Sequence, residues 1–382
     1  MGISIVPSPL PAGTYFFSGS DAVAEGAIAA GCRYYGGYPI TPSSEIMERI
    51  ARRFDDVGGV FMQMEDELAS ICSVIGASWA GAKAMTATAG PGLSLMMEGI
   101  GYAAFTEAPI VVVDIQRAGP CTGQATHVGS GDIMQVKWGS HGDYQVIAYS
   151  PWSVQEMYDL TIKAFNMAER YRVPVFLMGS EAMAHLREQV VISGKVEVFH
   201  REKKPGAPPF DTGEPDGVPP MPAFGEGENL LVTGSTHDGY GFRKSDDPGV
   251  HERLVSRLHR KIMDHRREIQ EVEMFHCDED NLDGAVVGYG FTARSALFAV
   301  NHLRAEGKRV GMVRLKTLWP FPDDVIHEIS ERAGWLFVPE MNRGQVVHQV
   351  REYAACEVFS LNQTDGRTIH PGIIEENMRR LS

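Results

Sequence analysis

Short apolar runs alternate with stretches of helical periodicity along most of the chain. Residues 109–115 are nearly continuous valine and isoleucine, the pattern of a strand buried on both faces. Shorter runs predict strands over 60–64, 84–89, 144–149 and 174–178. Between them the periodicity predicts helices over 21–30, 67–80, 93–104 and 153–171. Gly31 and Gly81 close the first two, and a Gly-Pro-Gly turn is expected before Leu93. Strand and helix in alternation point to an α/β fold built on a parallel sheet with helices on both sides.

The pattern breaks after about residue 190. Residues 205–227 are dense in proline and glycine and carry almost no periodicity. A charged helix is expected over 247–274, with Leu254, Leu258 and Ile262 on one face and its basic residues, from Arg253 to Arg267, on a solvated one. From 284 the alternation returns, with strands at 285–289, 309–315 and 335–338 and helices at 292–305, 322–333 and 344–355. The expected organisation is a first domain over 14–190, an irregular connection with a charged helix over 191–283, and a second α/β domain over 284–382.

Composition narrows the function classes. The chain has 382 residues and a net charge of −14, which disfavours nucleic acid and anionic membrane surfaces as partners. Its most apolar run, 108–113, is too short to cross a membrane, and the N-terminus lacks a signal-like pattern. Five scattered cysteines, Cys32, Cys72, Cys121, Cys277 and Cys356, contain no Cys-x-x-Cys. That fits reduced thiols in a cytoplasmic protein with no metal or iron–sulfur site of its own.

Three segments carry candidate chemistry. Tyr38-Pro-Ile-Thr-Pro-Ser-Ser44 reads as a strand end followed by a helix with Thr41 as N-cap and Pro42 in its first position. Such an end exposes N–H groups and hydroxyls to an anion, although a plain cap explains it equally well. Glu65, Asp66 and Glu67 sit where a strand meets a helix; acids there also complement the helix dipole. Arg117 follows the buried strand and leads into a loop rich in Gly, Pro and Thr, good chemistry for a carboxylate. These segments place Thr41, Glu67 and Arg117 at one edge of one sheet. A fourth, Gly288-Tyr-Gly-Phe-Thr-Ala293, fits a loose dinucleotide pattern. Arg314 on the next strand leaves room for a 2′-phosphate, while a tight strand-to-helix turn also accounts for the glycines.

Tyr38–Ser44, Glu65-Asp-Glu-Leu-Ala-Ser70, Thr88-Ala-Gly-Pro-Gly-Leu-Ser-Leu-Met-Met-Glu98, Gln116-Arg-Ala-Gly-Pro-Cys-Thr-Gly123 and Pro339-Glu-Met-Asn-Arg-Gly344, in this order, resemble the alpha subunit of 2-oxoacid:ferredoxin oxidoreductases. The match is greatest to the form that acts on 2-oxoglutarate. The resemblance implies a pyrimidine-type thiamine-diphosphate-binding domain followed by a transketolase-C-terminal-like domain. It implies CoA-dependent oxidative decarboxylation of 2-oxoglutarate to succinyl-CoA, or the reverse, with ferredoxin as electron partner. Branched-chain oxoacids, pyruvate and aryl pyruvates are the alternative substrates; a non-catalytic scaffold is the alternative of another class. Thiamine diphosphate would be shared with a beta chain that holds Mg²⁺ and a [4Fe-4S] cluster, with gamma and ferredoxin-like delta chains as further companions. Glu67 falls on the family's catalytic glutamate at the pyrimidine ring, with Glu65 as its rival, and Pro39 and Gly92 fall beside the cofactor. Thr41, Arg117 and Thr122 fall on the substrate pocket; Cys121 stands where serine is expected.

Overall fold

The computed structural model describes residues 2–381. Its larger sheet has eight strands. From edge to edge run Thr317–Trp319, Ile147–Tyr149, Pro174–Ser180, Ile110–Ala118, Lys83–Thr88, Cys32–Gly37 and Val60–Gln63, and Gln124–Val128 pairs with the end of Ile110–Ala118. All pairs are parallel except those of Thr317–Trp319 and Gln124–Val128. The central strands are buried on both faces, and alternate residues feed opposite layers. Val111, Val113 and Ile115 pack with Gly19–Ala29, Ser44–Val57 and Val154–Tyr171. Ile110 and Val112 pack with Glu67–Trp79 and Gly90–Phe105.

That second layer continues into a five-stranded sheet ordered Val272–Phe275, Val310–Leu315, Gly284–Tyr289, Trp335–Glu340 and Glu357–Asn362. Only its first strand is antiparallel to its neighbour. Leu318 and Trp319, on the strand that crosses back to the larger sheet, are buried in the core both sheets share. Two antiparallel ribbons, Gly2–Pro7 with Lys195–His200 and Gly13–Ser18 with Arg187–Ile192, complete the strands among the described residues.

Several expectations shift. The helix expected over 247–274 ends at Met263; a short turn, Arg266–Ile269, and the strand Val272–Phe275 follow. Pairing with Val310–Leu315 satisfies the backbone of that strand, a gain local periodicity does not register. The Gly-Pro-Gly segment is no turn: it forms the first turn of Gly90–Phe105, where proline's missing N–H costs nothing. The ribbons, Glu357–Asn362 and the closing helix Pro371–Leu381 were not anticipated.

The basic helix Pro248–Met263 does bury Leu254, Leu258 and Ile262. Its charged face, however, is not all solvated. Glu107 is completely buried and receives Arg257 at 2.9 and 2.5 Å and Lys261 at 2.6 Å. Although burial opposes ionisation, these cations hold the Glu107 carboxyl well below the usual range. Buried guanidinium groups also anchor the proline-rich connection. Arg172 donates to the carbonyls of Pro209, Pro219 and Pro220 at 2.6 to 3.2 Å, and Arg257 to Gly217 and Phe210. Prolines offer carbonyls but no N–H, so a buried proline-rich segment needs donors from elsewhere.

Glu107→Gln should therefore destabilise the chain by about 3–5 kcal/mol, because it leaves buried cations without their counter-charge. Urea unfolding of the variant checks this, and a loss under about 1 kcal/mol would show that the cluster contributes little.

Candidate functional site

The parallel strands of the larger sheet deliver their carboxyl ends to one edge, where open α/β folds bind ligands. After Cys32–Gly37 the chain turns through Tyr38–Ser43 before the helix Ser44–Val57 begins. Thr41 is therefore not the N-cap, and Pro42 does not open the helix. Ser43 flanks the helix instead, and its hydroxyl and backbone N–H both donate to the Ile40 carbonyl, at 2.9 and 2.8 Å. The hydroxyl proton is used to close the turn and is not free for an anion, and the side chain makes no capping bond. Thr41 is exposed, and its carbonyl accepts a 2.6 Å hydrogen bond from Arg117 Nη1. Residues from the ends of two different strands are joined in this way.

Glu67 opens the helix Glu67–Trp79, behind Asp66, whose carboxylate caps it by accepting from the Ala69 N–H at 2.7 Å. Glu65 is exposed, whereas Glu67 is 6% exposed. Among the described residues no hydrogen bond or ion pair reaches the Glu67 carboxyl group. It lies against Gly92, in the first turn of Gly90–Phe105. A Cβ on Gly92 would come within 2.5 Å of Glu67 Oε1 and 2.6 Å of its Cγ. Only glycine leaves space for this carboxyl group.

Gly90 and Pro91, in the same turn, line a cavity of about 560 Å³ that Arg117 also enters. Arg117 is buried, and its Nε has no partner. The hairpin after Arg117 forms one wall, with Ala118, Gly119, Pro120 and Cys121; Met341, Asn342 and Arg343 form another from the second sheet. Thr122 is exposed at the hairpin tip, outside this lining, 4.0 Å from the Cys121 Sγ. Pro39 is exposed on the Tyr38–Ser43 turn.

A protein-family model described as pyruvate flavodoxin/ferredoxin oxidoreductase, thiamine diphosphate-binding, matches residues 25–257, and one described as pyruvate:ferredoxin oxidoreductase core domain II matches 283–374. The chain belongs to the pyruvate flavodoxin/ferredoxin oxidoreductase family. It is 47% identical over 363 residues to a 2-oxoglutarate synthase subunit KorA of Methanothermobacter thermautotrophicus, covering 94% of this chain and 96% of that protein. It is 49% identical over 369 residues to the KorA subunit of Methanocaldococcus jannaschii, covering 94% and 98%. A ketoisovalerate oxidoreductase subunit VorB of Methanothermobacter thermautotrophicus is 36% identical, over 97% of this chain and 98% of its own. Among solved structures, 2-oxoglutarate:ferredoxin oxidoreductase from Magnetococcus marinus, with 2-oxoglutarate, coenzyme A and succinyl-CoA bound, superposes with a TM-score of 0.91 at 30% identity. This chain covers 65% of that longer one, and the match takes in 96% of this chain. The α/β fold with its thiamine-diphosphate-binding domain is thus a property of the family, and Glu67, Gly92 and Arg117 all lie within that domain's match.

In this oxidoreductase the glycines of Gly288–Ala293 serve packing. Gly290 begins the helix Gly290–Ala305 at a φ of +52°, and a Cβ there would come within 3.1 Å of the Ser150 Oγ. Arg314 cannot receive a 2′-phosphate: it is fully buried, stacks 3.8 Å from the Trp152 ring centroid, and pairs with Glu156 and, at 2.6 Å, Glu273. The NADP reading is set aside on that geometry. No helix among the described residues is long and apolar enough to cross a membrane.

One acidic pair was missed at the level of sequence. Asp114, a lone acid inside the valine run of Ile110–Ala118, is completely buried, with neither oxygen receiving a donor from the rest of the chain. Its neighbour is Asp132, which lines the cavity, packs on Gly90 and is fixed through its N–H to Gln116 Oε1 at 3.2 Å. Burial, then the adjacent carboxyl, holds Asp114 well above the ordinary range, and burial pushes Asp132 up to about 6. Arg117 favours the negative charge on Asp132, which is thus the first of the two to ionise.

The pair makes stability depend on pH. Between about pH 4, where a free aspartate ionises, and about 6, the folded chain keeps a proton that the unfolded chain has lost. Wild-type stability should fall as pH rises through that window. Asp132→Asn should remove the share of the fall that Asp132 contributes and leave the share that burial gives Asp114, so its advantage over wild type in urea unfolding should grow from pH 4 to pH 7. An advantage that stays constant across the window would contradict the assignment.

Proposed function

We propose that this chain is the alpha-type subunit of a thiamine-diphosphate-dependent 2-oxoglutarate:ferredoxin oxidoreductase. In this reading the assembled enzyme carries out CoA-dependent oxidative decarboxylation of 2-oxoglutarate to succinyl-CoA, or the reverse. The single observation that carries the reading is the buried Glu67 carboxyl group, unpartnered and seated against Gly92 beside the cavity that Arg117 enters. The residue is nearly buried, its carboxyl group receives no hydrogen bond from the described residues, and it stands at a strand-end site where a ligand can use that free acceptor capacity. A ring nitrogen of the aminopyrimidine is such a partner, and Gly92 leaves the space. The preference for 2-oxoglutarate rests on the KorA relatives, which are more similar than the ketoisovalerate subunit, and on the ligands of the Magnetococcus structure.

Bound thiamine diphosphate supplies the nucleophilic carbon and the electron sink for decarboxylation. The chain's own residues bind and orient. Glu67 would hold a proton against the ring nitrogen and so favour the tautomer whose exocyclic nitrogen acts as a base. Arg117, anchored by the Thr41 carbonyl, would take the oxoacid carboxylate on its remaining N–H groups. Pro39 and Thr122 would border cofactor and substrate once the site is assembled.

The site is open on this chain alone, and a partner chain would complete it. Tyr38, Met62, Leu68 and Leu95 are each 39–49% exposed, and all lie on the segments that carry or flank Glu67 and Gly92. Exposed apolar side chains beside a polar centre fit a subunit interface. We assign to the partner beta chain the diphosphate, Mg²⁺ and a [4Fe-4S] cluster that passes single electrons to ferredoxin, with gamma and delta chains as companions, all in the cytoplasm.

Glu67→Gln should lower turnover by at least about a hundredfold, as loss of a positioned acid–base group does, while the complex still assembles on size exclusion. Near-wild-type turnover would end the assignment and leave the scaffold reading. Arg117→Ala should raise the KM for the oxoacid about ten- to a hundredfold, the equivalent of one charge-assisted hydrogen bond. An unchanged KM would remove Arg117 from the pocket.

A further inference from the structure

We infer that Arg343 is a second anion-binding residue of the Arg117 cavity, receiving an oxyanion that a reactant carries away from its reacting group. The inference rests on the reading of the cavity as the oxoacid site. Two reactants carry such a group: a dicarboxylic oxoacid in its far carboxylate, and coenzyme A in its phosphates.

Arg343 follows the strand Trp335–Glu340, and the loop around it is fixed on both sides. The Ser130 N–H donates to the Met341 carbonyl at 3.0 Å, and Asn342 Nδ2 to the Ser130 carbonyl at 2.7 Å. Gln345 Nε2 donates to the Gly131 carbonyl at 2.5 Å, and Gln345 Oε1 accepts from the Met134 N–H at 2.9 Å. Beneath them Glu340, completely buried, accepts the N–H groups of Val346 and Val347 at 2.9 and 3.0 Å and the Tyr289 hydroxyl at 2.9 Å. The backbone of residue 343 is therefore clamped to the 130–134 segment, which also carries Asp132 in the cavity wall.

The Arg343 side chain is exposed, and among the described residues no hydrogen bond, ion pair or ring contact reaches it. It lines the same cavity as Arg117. Arg117 and Arg343 are the cavity's lysine or arginine residues, and Asp132 is its acid. Asp132 shares its site with Asp114 and leaves the two guanidinium groups in excess. A fixed backbone, a free guanidinium and a second cation in one cavity favour an anion with more than one charged group.

The test uses the assembled holoenzyme with a reducible dye. Arg343→Gln and Arg343→Lys are compared with wild type on 2-oxoglutarate, on 2-oxobutyrate, which lacks the far carboxylate, and across a CoA titration. A rise of about ten- to a hundredfold in one KM, with kcat nearly unchanged and partial recovery in the lysine variant, supports the inference. If the far carboxylate is the ligand, the rise is seen with 2-oxoglutarate and not with 2-oxobutyrate. If a phosphate is the ligand, the rise is in the KM for CoA, and calorimetric CoA affinity falls in parallel. KM values for 2-oxoglutarate and CoA both within twofold of wild type overturn it. Wild-type enzyme inactive on both oxoacids would instead overturn the functional reading itself.

Discussion

The close approach of one carboxyl group to a helix turn without a side chain is the constraint on which the site depends. Glu67 and Gly92 begin two helices that follow two different strands of the sheet, and the carboxyl group occupies the volume a Cβ at residue 92 would fill. Both helices pack on the same face of the sheet, through Ile71 and Val74 on one and Leu93 and Met96 on the other. The depth of Glu67 is thereby set by the core and not by a flexible loop. With no hydrogen bond from the described residues, the carboxyl group keeps its acceptor capacity free for a ligand.

Around this point the two sheets work as a single binding scaffold. The larger one supplies Arg117 and the turn that fixes it; the smaller one supplies the opposite wall through the Met341–Gln345 loop. Polar bonds at the junction, from Asn342 and Gln345 to the 130–131 carbonyls and from Arg314 to Glu156 and Glu273, hold the walls in register. Residues from 90–135 and 341–364 thus meet in one cavity.

Much of the fold was legible because its central strands are buried on both faces and read as unbroken apolar runs. The choice of Glu67 over Glu65 came from the resemblance alone, and burial now favours the same residue. The sequence misled where pairing partners are distant. Residues 272–275 look like the end of a charged helix until Val310–Leu315 lies beside them, and Arg257 and Lys261 look solvated until Glu107 is found beneath them. The cap assigned to Thr41 failed because the chain stays in a turn through Ser43 and the helix begins only at Ser44. Asp114 did leave a trace, an acid interrupting a run of valines. Arg343 left none, since an exposed arginine gains meaning only from the cavity wall on which it stands.

The central claim is that Glu67 of this chain contacts the aminopyrimidine of thiamine diphosphate in a site completed by another chain. The most direct measurement is an experimental structure of the co-purified complex with the cofactor bound. The account predicts the Glu67 carboxyl oxygen within hydrogen-bond distance, about 2.6–3.2 Å, of the pyrimidine ring nitrogen, with the diphosphate held by the partner chain. A cofactor ring out of reach of Glu67, or seated wholly within this chain, would contradict it.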